Sequence, residues 1–426
     1  MDHQVPRTAF RPRGFAKSRA GKITIPMIAA LALVVTGCAT GPAGDSEGGY
    51  SQGVTDDTIK IGMLAPYSGN ASVYSKAQRL AEMMYQEINE NGGINGRQIE
   101  LVLGDDNCDA ASMQGLIRKF VEQDQVFMIH GGSCSNAIIA SKPLIEDLGI
   151  PFLVVNAASA AISDPPVRNL FHPKPTAAEQ VEAIAGFIAS NEDAKTVSVA
   201  ATSDEWGQGF GTAAQTELEK AGASIGTVEE LDPEGGDMTP AIRKLLNANS
   251  DMAAVFAYPQ PMTVFLGAAG PQGLDIPIVT GDGTRPDEQV ERLGDRALVE
   301  NFFSAYSYTA PIDDPAYDHH RELLKDGFPE LQFDSVALEG AVSTEFNIEV
   351  LKRMGDDLTW DNWIKTAETG TYTTIPSGEM SFQAFDADDP RTRRPGITIR
   401  FTVLDPKATD SRTIVVTDWK DWLSRK

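Results

Sequence analysis

The chain has 426 residues, with 36 Lys and Arg, 60 Asp and Glu, and three Cys. At about 150 residues per domain, this length predicts two or three domains. Apolar residues make up 42% and charged residues 23%, values that are typical of soluble globular proteins and exclude a disordered, collagen-like or polytopic membrane chain. The formal net charge of −24 argues against nucleic-acid binding, because phosphate recognition takes a basic patch and none follows the first segment.

The first predicted element is an export signal over residues 1–37. Six basic residues precede residue 23 against the single acid Asp2, and an uncharged apolar run then covers residues 23–35. A bilayer takes about 20 apolar residues, so this shorter run favours a signal over a permanent membrane span. The run leads into Val35-Thr-Gly-Cys38, which resembles the bacterial lipobox and makes Cys38 the expected lipidation site. The alternative is a buried cysteine that follows a cleaved or uncleaved signal.

Residues 38–56 are predicted to form a flexible tether, because this Gly-containing stretch has no apolar periodicity. From residue 58 onwards, short β-rich runs alternate with amphipathic stretches of helical length. Strands are predicted at 59–64, 99–103, 126–130, 151–155, 196–200, 223–228, 252–256 and 276–280, and the first helices at 74–91, 110–123 and 136–148. This alternation predicts an α/β protein with parallel, doubly wound sheets.

The alternation is interrupted by the two prolines of Phe171-His-Pro-Lys-Pro-Thr176, which favours two similar lobes over a single sheet. The strand–helix pattern changes a second time near residues 302–308. Helices are predicted beyond it at 314–326, 335–353 and 359–367, strands at 380–383, 397–404 and 412–416, and a terminal helix at 418–424.

The motifs of common enzymes are missing from the sequence, which has no HExxH, Walker A, GxSxG or CxxC pattern. Adjacent His319 and His320 lack the i, i+4 spacing of a metal pair and are interpreted as part of a solvated helix face. Gly207-Gln-Gly-Phe-Gly211 differs from GxGxxG and indicates close helix–strand packing, not a nucleotide loop. We therefore expect a protein that is not an enzyme and that holds neither a cofactor nor a metal.

The segment Gly131-Gly-Ser-Cys-Ser-Asn136 lies between a predicted strand and a predicted helix, where open α/β sheets bind ligands. The free N–H groups at the start of that helix favour a carboxylate, and the Ser135 hydroxyl could donate a further hydrogen bond. The alternative is that Ser135 only caps the helix. In an exported protein, Cys108 and Cys134 are expected to form a disulfide, with two separate buried thiols as the alternative.

A series of motifs runs through residues 58–404 in a fixed order. It comprises Ile59-Lys-Ile-Gly-Met-Leu-Ala-Pro-Tyr-Ser-Gly69, Tyr74, Glu87-Ile-Asn-Glu-Asn-Gly-Gly-Ile-Asn-Gly96, Asp105-Asp-Asn-Cys108, Gly149-Ile-Pro-Phe152, Glu205-Trp-Gly-Gln-Gly209 and Gly378-Glu-Met-Ser-Phe382. In this order the motifs resemble those of the leucine/isoleucine/valine-type solute-binding proteins of ABC importers. The resemblance implies a type I periplasmic-binding fold, with two Rossmann-like lobes joined by a multi-strand hinge.

The resemblance also implies a division of the chain and a set of site residues. The first lobe is expected to comprise residues 57–175 and 304–382, and the second lobe 176–303, with residues 383–426 as its return and C-terminal segment. The implied ligand-binding residues are Tyr74, Ser133, Ser135, Asn156, Ala157, Ala158, Trp206, Tyr258, Asp282 and Gly283, and the implied disulfide joins Cys108 to Cys134.

Within this set, the resemblance gives particular roles to Ser135, which is expected to bind the ligand carboxylate, and to Asp282, which is expected to pair with a ligand ammonium group. Tyr74, Trp206 and Tyr258 are expected to form aromatic walls. Ala158 stands where the family carries a threonine that touches both charged groups of the ligand. This departure indicates a ligand other than a plain branched-chain amino acid.

Together with the lipobox, the resemblance implies a lipid-anchored receptor on the outer face of the cell membrane. It is expected to bind a small amino-acid-like ligand, to close over it and to deliver it to the permease subunits of an ABC importer. An extracytoplasmic ligand sensor for a signalling partner is the alternative. A hydrolase would need a nucleophile–base pair that the sequence does not offer.

Overall fold

The computed structural model of the chain describes residues 49–69, 71–191, 194–308, 310, 312–395 and 399–419. The predicted signal, Cys38 and the greater part of the predicted tether lie outside these residues. Within them, every helix is too short or too polar to cross a membrane.

The end of the predicted tether is packed against the rest of the protein. Val54 is buried and pairs with Ile59 in a β-bridge, and the Gln52 Nε2 donates to the backbone oxygens of Val121 and Val126 at 3.2 and 3.0 Å. The prediction of a flexible tether is therefore wrong for residues 49–56, because buried apolar surface and backbone hydrogen bonds fix this stretch.

The first sheet has five parallel strands among the described residues. They are β1 (Thr58–Ala65), β2 (Gln98–Asp105), β3 (Met128–Gly131), β4 (Phe152–Leu153) and β5 (Leu170–Phe171), in the order β2-β1-β3-β4-β5. Helices α1 (Lys76–Glu90), α2 (Ala110–Glu122) and α3 (Ser135–Leu148) connect the first four strands. β1 is buried over nearly its whole length, since helices cover both faces of a doubly wound sheet.

Over the residues that the structure describes, the second sheet has seven strands in the order β14-β13-β10-β9-β8-β6-β7. They are β6 (Thr196–Thr202), β7 (Ser224–Leu231), β8 (Met252–Phe256), β9 (Ile278–Thr280), β10 (Phe302–Tyr306), β13 (Ile399–Leu404) and β14 (Thr413–Trp419). Its helices are α4 (Ala177–Ala189), α5 (Glu205–Lys220), α6 (Thr239–Asn247), α7 (Pro259–Ala269) and α8 (Pro286–Leu293).

Three features of the second sheet differ from the predictions. β13 and β14 pair in antiparallel fashion with their neighbours, so this sheet is mixed and not wholly parallel. β14 continues to Trp419, where the terminal helix 418–424 was predicted to begin, and the rest of that helix lies outside the described residues. The predicted lobe boundary after residue 303 falls inside β10, which pairs with β9 and so belongs to the second sheet.

The segment between β10 and β13 returns to the first sheet. It forms α9 (Asp318–Gly327), α10 (Ser335–Met354), α11 (Trp360–Thr369) and a hairpin of β11 (Thr371–Thr374) and β12 (Gly378–Ser381). Leu338 and Phe346 of α10 share a core cluster with Ile61 of β1. The chain therefore passes between the two lobes three times, after β5, after β10 and after β12.

The first and third of these passages are joined to each other. The Arg394 Nη1 lies 2.5 Å from the Glu179 Oε1, and Glu179 also forms a capping box with Thr176 at the start of α4. Phe187 of α4 stacks on Phe401 of β13 with a centroid distance of 4.2 Å. These contacts fix the hinge side of the second lobe.

Two interpretations of sequence motifs are decided by packing. A Cβ at Gly207 would lie 2.1 Å from the backbone oxygen of Thr202, which confirms the predicted close packing of helix and strand. His320 is buried, with its Nε2 2.7 Å from the Glu345 Oε1, whereas its neighbour His319 is exposed. The interpretation of a solvated face is therefore wrong for His320.

Candidate functional site

A cavity of about 420 Å³ lies between the two lobes. Its lining residues follow the carboxyl ends of strands in both sheets, which is where open α/β sheets bind ligands. All ten residues implied by the sequence motifs line this cavity: Tyr74, Ser133, Ser135, Asn156, Ala157, Ala158, Trp206, Tyr258, Asp282 and Gly283. The structure thus brings the whole predicted set together. The volume of the cavity suits a small molecule.

The first lobe contributes the turn between β3 and α3. A Cβ at Gly131 would lie 2.3 Å from the backbone oxygen of Leu64, so only glycine allows β3 to end this close to β1. The Gln78 side chain donates to the same Leu64 oxygen at 3.1 Å and to the Ser133 Oγ at 3.2 Å. This buried amide fixes the position of Ser133 at the start of the turn.

Ser135 is the first residue of α3 and does not cap it. The N-cap position belongs to Cys134, whose side chain makes no capping hydrogen bond. The Ser135 Oγ instead accepts a hydrogen bond from the Ser159 N–H at 3.4 Å. The alternative that Ser135 only caps the helix is therefore wrong, and the N–H groups of the first turn have no acceptor within the helix.

The disulfide between Cys108 and Cys134 is confirmed, with the two Cα atoms 5.4 Å apart. Both cysteines line the cavity. The bond links the turn after β2 to the residue that precedes α3, so it braces the first-lobe side of the cavity.

The loop after β4 holds Asn156, Ala157 and Ala158. The Ala157 oxygen accepts from the His172 Nε2 at 2.6 Å, and burial lowers the pKa of His172 to about 3, so the neutral ring donates this bond. The Ala158 oxygen accepts from the Ala177 N–H at the start of α4. Ala158 therefore lines the cavity with a methyl group only, and Ser159 is not among the lining residues.

The aromatic walls come from both lobes and meet. Tyr258 stacks on Trp206 with a centroid distance of 4.6 Å, and its other neighbour is the Tyr74 ring of the first lobe at 6.0 Å. A Cβ at Gly283 would lie 3.0 Å from the Trp206 Cζ2, so glycine leaves room for the indole. Burial raises the pKa of Tyr74 to about 12, which keeps its hydroxyl protonated.

Asp282 follows β9 and is held by its backbone, because its N–H donates to the Gln180 Oε1 at 3.0 Å. Its side chain is only 2% exposed and faces the Lys174 Nζ at 3.7 Å. Lys174 lies closer to Glu339 of α10, with its Nζ 2.5 Å from the Oε1. Lys174 thus bridges a carboxylate of the second lobe and one of the first.

Burial and mutual contact shift the pKa values of Glu339 and Lys174. Burial raises the pKa of Glu339 to about 8, against the lowering effect of Lys174. The two carboxylates raise the pKa of Lys174 although burial alone would lower it. Lys174 is therefore a permanent cation between two acids.

Sequence reasoning missed Lys174 and Glu339 as lining residues of the cavity. Lys174 stands between Pro173 and Pro175, which break the strand–helix alternation, and Glu339 lies within a long helical pattern. The signal that could have found Lys174 is a lysine in an otherwise apolar and Pro-rich passage between lobes. Within the part of the chain that the structure describes, no group of three His, Cys, Asp or Glu side chains could hold a metal ion.

The two sheets and the cavity between them define a two-lobed α/β binding protein. Residues 58–400 match the family described as periplasmic binding protein, and the chain belongs to this family. The resemblance inferred from the sequence motifs is thereby confirmed.

Known proteins give the same fold. The chain is 28% identical over 246 residues to a leucine-, isoleucine-, valine-, threonine- and alanine-binding protein of Pseudomonas aeruginosa, and the match covers 58% of this chain but only 66% of that protein. A solute-binding protein of an ABC transporter from Rhodopseudomonas palustris, solved with 3,4-dihydroxybenzoic acid, has a TM-score of 0.72 at 20% identity, covering 86% of this chain and 98% of that chain. A branched-chain amino acid transporter substrate-binding protein from Streptococcus pneumoniae, solved with isoleucine, has a TM-score of 0.68 at 21% identity, covering 84% and 99%.

Proposed function

We propose that the protein is the extracytoplasmic substrate-binding component of an ABC importer. It binds a small polar ligand, an amino acid or a related amide or carboxylate, in the cavity between the lobes and delivers it to the permease. The observation that carries this proposal is the pairing of opposite chemistries across one cavity: the start of α3 on one lobe and the buried Asp282 carboxylate on the other. The amino-acid-binding name of the Pseudomonas relative supports the same ligand class.

Each wall of the cavity has a separate task in this proposal. The N–H groups of the first turn of α3, with the Ser135 hydroxyl, bind the ligand carboxylate. Asp282 accepts hydrogen bonds from the ligand nitrogen, and the Tyr74, Trp206 and Tyr258 rings flank the bound molecule. Because residues from both lobes contact one ligand, binding stabilises the closed arrangement about the hinge, and no bond is made or broken.

We also propose that the mature chain begins at a lipid-modified Cys38 on the outer face of the cell membrane. This proposal rests on the sequence alone, since Cys38 lies outside the described residues. Cys38→Ser should release the protein from the membrane fraction without changing ligand affinity. Intact-mass analysis that shows an unmodified mature N-terminus would contradict the anchor and leave the binding proposal standing.

A thermal-shift screen tests the binding proposal. The purified chain is heated with amino acids, amides, ureas and small aromatic acids. A ligand at 100 times its Kd should raise the free energy of unfolding by about 2.7 kcal/mol. Asp282→Asn should strongly reduce the shift for the same ligand while the unliganded melting temperature changes little. The absence of any shift across these classes would contradict the proposal.

A further inference from the structure

Strand β14 forms one edge of the second sheet. Among the described residues it pairs only with β13, so its outer backbone N–H and C=O groups have no strand partner there. Its segment Thr413-Ile-Val-Val-Thr417 contains no charged residue, and Ile414, Val415 and Val416 are 37, 36 and 42% exposed. A β-bulge leaves Val416 without a partner in β13 and so breaks the usual alternation of faces. β14 therefore presents an apolar and unpaired strand edge.

The strands β7 and β2, which also lie at sheet edges, are protected by charge. β7, at the opposite edge of the same sheet, contains Glu229 and Glu230, and β2, at an edge of the first sheet, contains Glu100. Charged residues on an edge strand disfavour pairing with another chain, whereas an uncharged apolar edge favours it. β14 differs from these two strands because its central residues leave it open to a further strand.

The sequence of β14 indicates which strand fits this edge. Residues 412–418 read Arg412-Thr-Ile-Val-Val-Thr-Asp418, so the segment has the same pattern from both ends, with opposite charges at the two ends. When two copies pair antiparallel about Val415, position 412 of one copy lies opposite position 418 of the other. Arg is then opposite Asp, Thr opposite Thr and Ile opposite Val, on both sides of a central Val–Val pair. Directly opposed residues of these kinds stabilise an antiparallel strand pair.

We infer that β14 is the contact surface for a second copy of this chain. The two β14 strands pair antiparallel across a two-fold axis at Val415 and join the second sheets of both copies. A two-fold contact requires a surface that is complementary to itself, and the sequence of residues 412–418 meets this requirement. None of the described residues of β14 lines the cavity between the lobes, so the pairing leaves both cavities accessible.

The size of this contact determines the affinity that we expect. Residues 412–418, at about 3.4 Å per residue, span about 24 Å, and one pair of such strands is a smaller contact than the interface of a stable complex. We therefore expect a reversible dimer with a dissociation constant of about 10–100 µM.

Sedimentation velocity of the purified chain from about 1 to about 500 µM tests the inference, with Cys38→Ser in every sample so that no lipid drives association. The chain should be a monomer at the lowest concentration and a dimer at the highest. Val415→Lys places two lysines opposite each other at the axis and should remove the dimer. The matched control is Val228→Lys, because Val228 is 45% exposed on β7 at the other edge of the same sheet. This control should keep the dimer.

A charge reversal tests the register. Arg412→Glu places two acids opposite each other at both ends of the contact and should raise the dissociation constant about fivefold. Adding Asp418→Lys to this variant restores opposite charges and should restore the wild-type constant. The pair of Arg412 with Asp410 is exposed, so its loss should change the stability of the fold little. Circular dichroism and the melting temperature of each variant check that the fold is intact.

Three results would overturn the inference. The first is a chain that stays monomeric at the highest concentration. The second is a dimer that persists in Val415→Lys, because such a dimer uses another surface. The third is an Arg412→Glu variant that associates as well as the wild type or is not corrected by Asp418→Lys. None of these measurements involves the ligand, so the proposed function is tested separately.

Discussion

Replacing Ser135 by alanine should separate ligand affinity from fold stability. Ser135 is half-buried at the first position of α3, and its Oγ accepts one long hydrogen bond, from the Ser159 N–H at 3.4 Å. A hydrogen bond of ordinary geometry contributes about 1 kcal/mol, and alanine is the best helix former. We therefore expect Ser135→Ala to lower the free energy of unfolding by at most about 1 kcal/mol.

The loss of affinity should be larger than the loss of stability. A hydroxyl that donates to a bound carboxylate makes a charge-assisted hydrogen bond, which contributes about 1.5–3 kcal/mol. At about 1.4 kcal/mol for each factor of ten, the Kd of the variant should rise roughly 10- to 100-fold. The N–H groups of the first turn of α3 remain in the variant, so binding is weakened and not abolished.

The assay combines calorimetric titration with the tightest ligand from the screen and urea unfolding of both proteins. Ser141→Ala is the matched control, because Ser141 lies on the same helix, donates to the Ala137 oxygen at 2.8 Å and is not among the cavity-lining residues. It should lose stability and keep full affinity. Equal affinities of Ser135→Ala and the wild type would refute the placement of the carboxylate at this helix.

Three further predictions concern the disulfide and the buried acids. The disulfide between Cys108 and Cys134 closes a loop of 26 residues, so its reduction should lower the free energy of unfolding by about 3 kcal/mol. Unfolding curves measured with and without reductant check this prediction. Identical curves would argue against a stabilising bond. Asp282→Asn should weaken ligand binding by about 2–5 kcal/mol in calorimetry while circular dichroism stays unchanged; undiminished affinity would exclude a ligand nitrogen at this carboxylate. Because burial raises the pKa of Glu339 from 4.5 to about 8, the folded state binds more protons than the unfolded state between these values, and stability falls as pH rises through them. Glu339→Gln should remove this loss, up to about 1.4 kcal/mol per pH unit, and parallel stability–pH profiles of variant and wild type would contradict the assignment.

The layered architecture was accessible from the sequence because its signals are local. Alternating apolar strands and amphipathic helices predicted most strands of both sheets within a few residues, and the prolines at 173 and 175 marked the first passage between lobes. Short elements gave no such signal. β5 is a two-residue strand, Leu170–Phe171, and its pairing with β4 depends on tertiary contacts that periodicity does not encode.

The antiparallel direction of β13 and β14 could not be predicted from the local sequence either. β13 and β14 have strand composition, but composition does not predict the direction of pairing. In the structure, β13 pairs antiparallel to β10 and β14 pairs antiparallel to β13. The pairing follows from the way the chain re-enters the second lobe after β12.

The candidate site divides in a similar way. The ten implied residues could be placed by resemblance, since each stands in a recognisable motif. Lys174 and Glu339 could not, because a lysine between prolines and a glutamate in a helix acquire their roles only when α10 packs against the passage between the lobes. The role of Ser135 was ambiguous until the helix start was fixed at that residue and the cap at Cys134.

A crystal structure of the chain with the tightest ligand from the screen tests the central claim most directly. The account predicts one molecule between the lobes, with its carboxylate within hydrogen-bond distance of the first turn of α3 and a nitrogen within hydrogen-bond distance of the Asp282 carboxylate. A ligand bound outside this cavity, or bound inside it without contact to either group, would contradict the account.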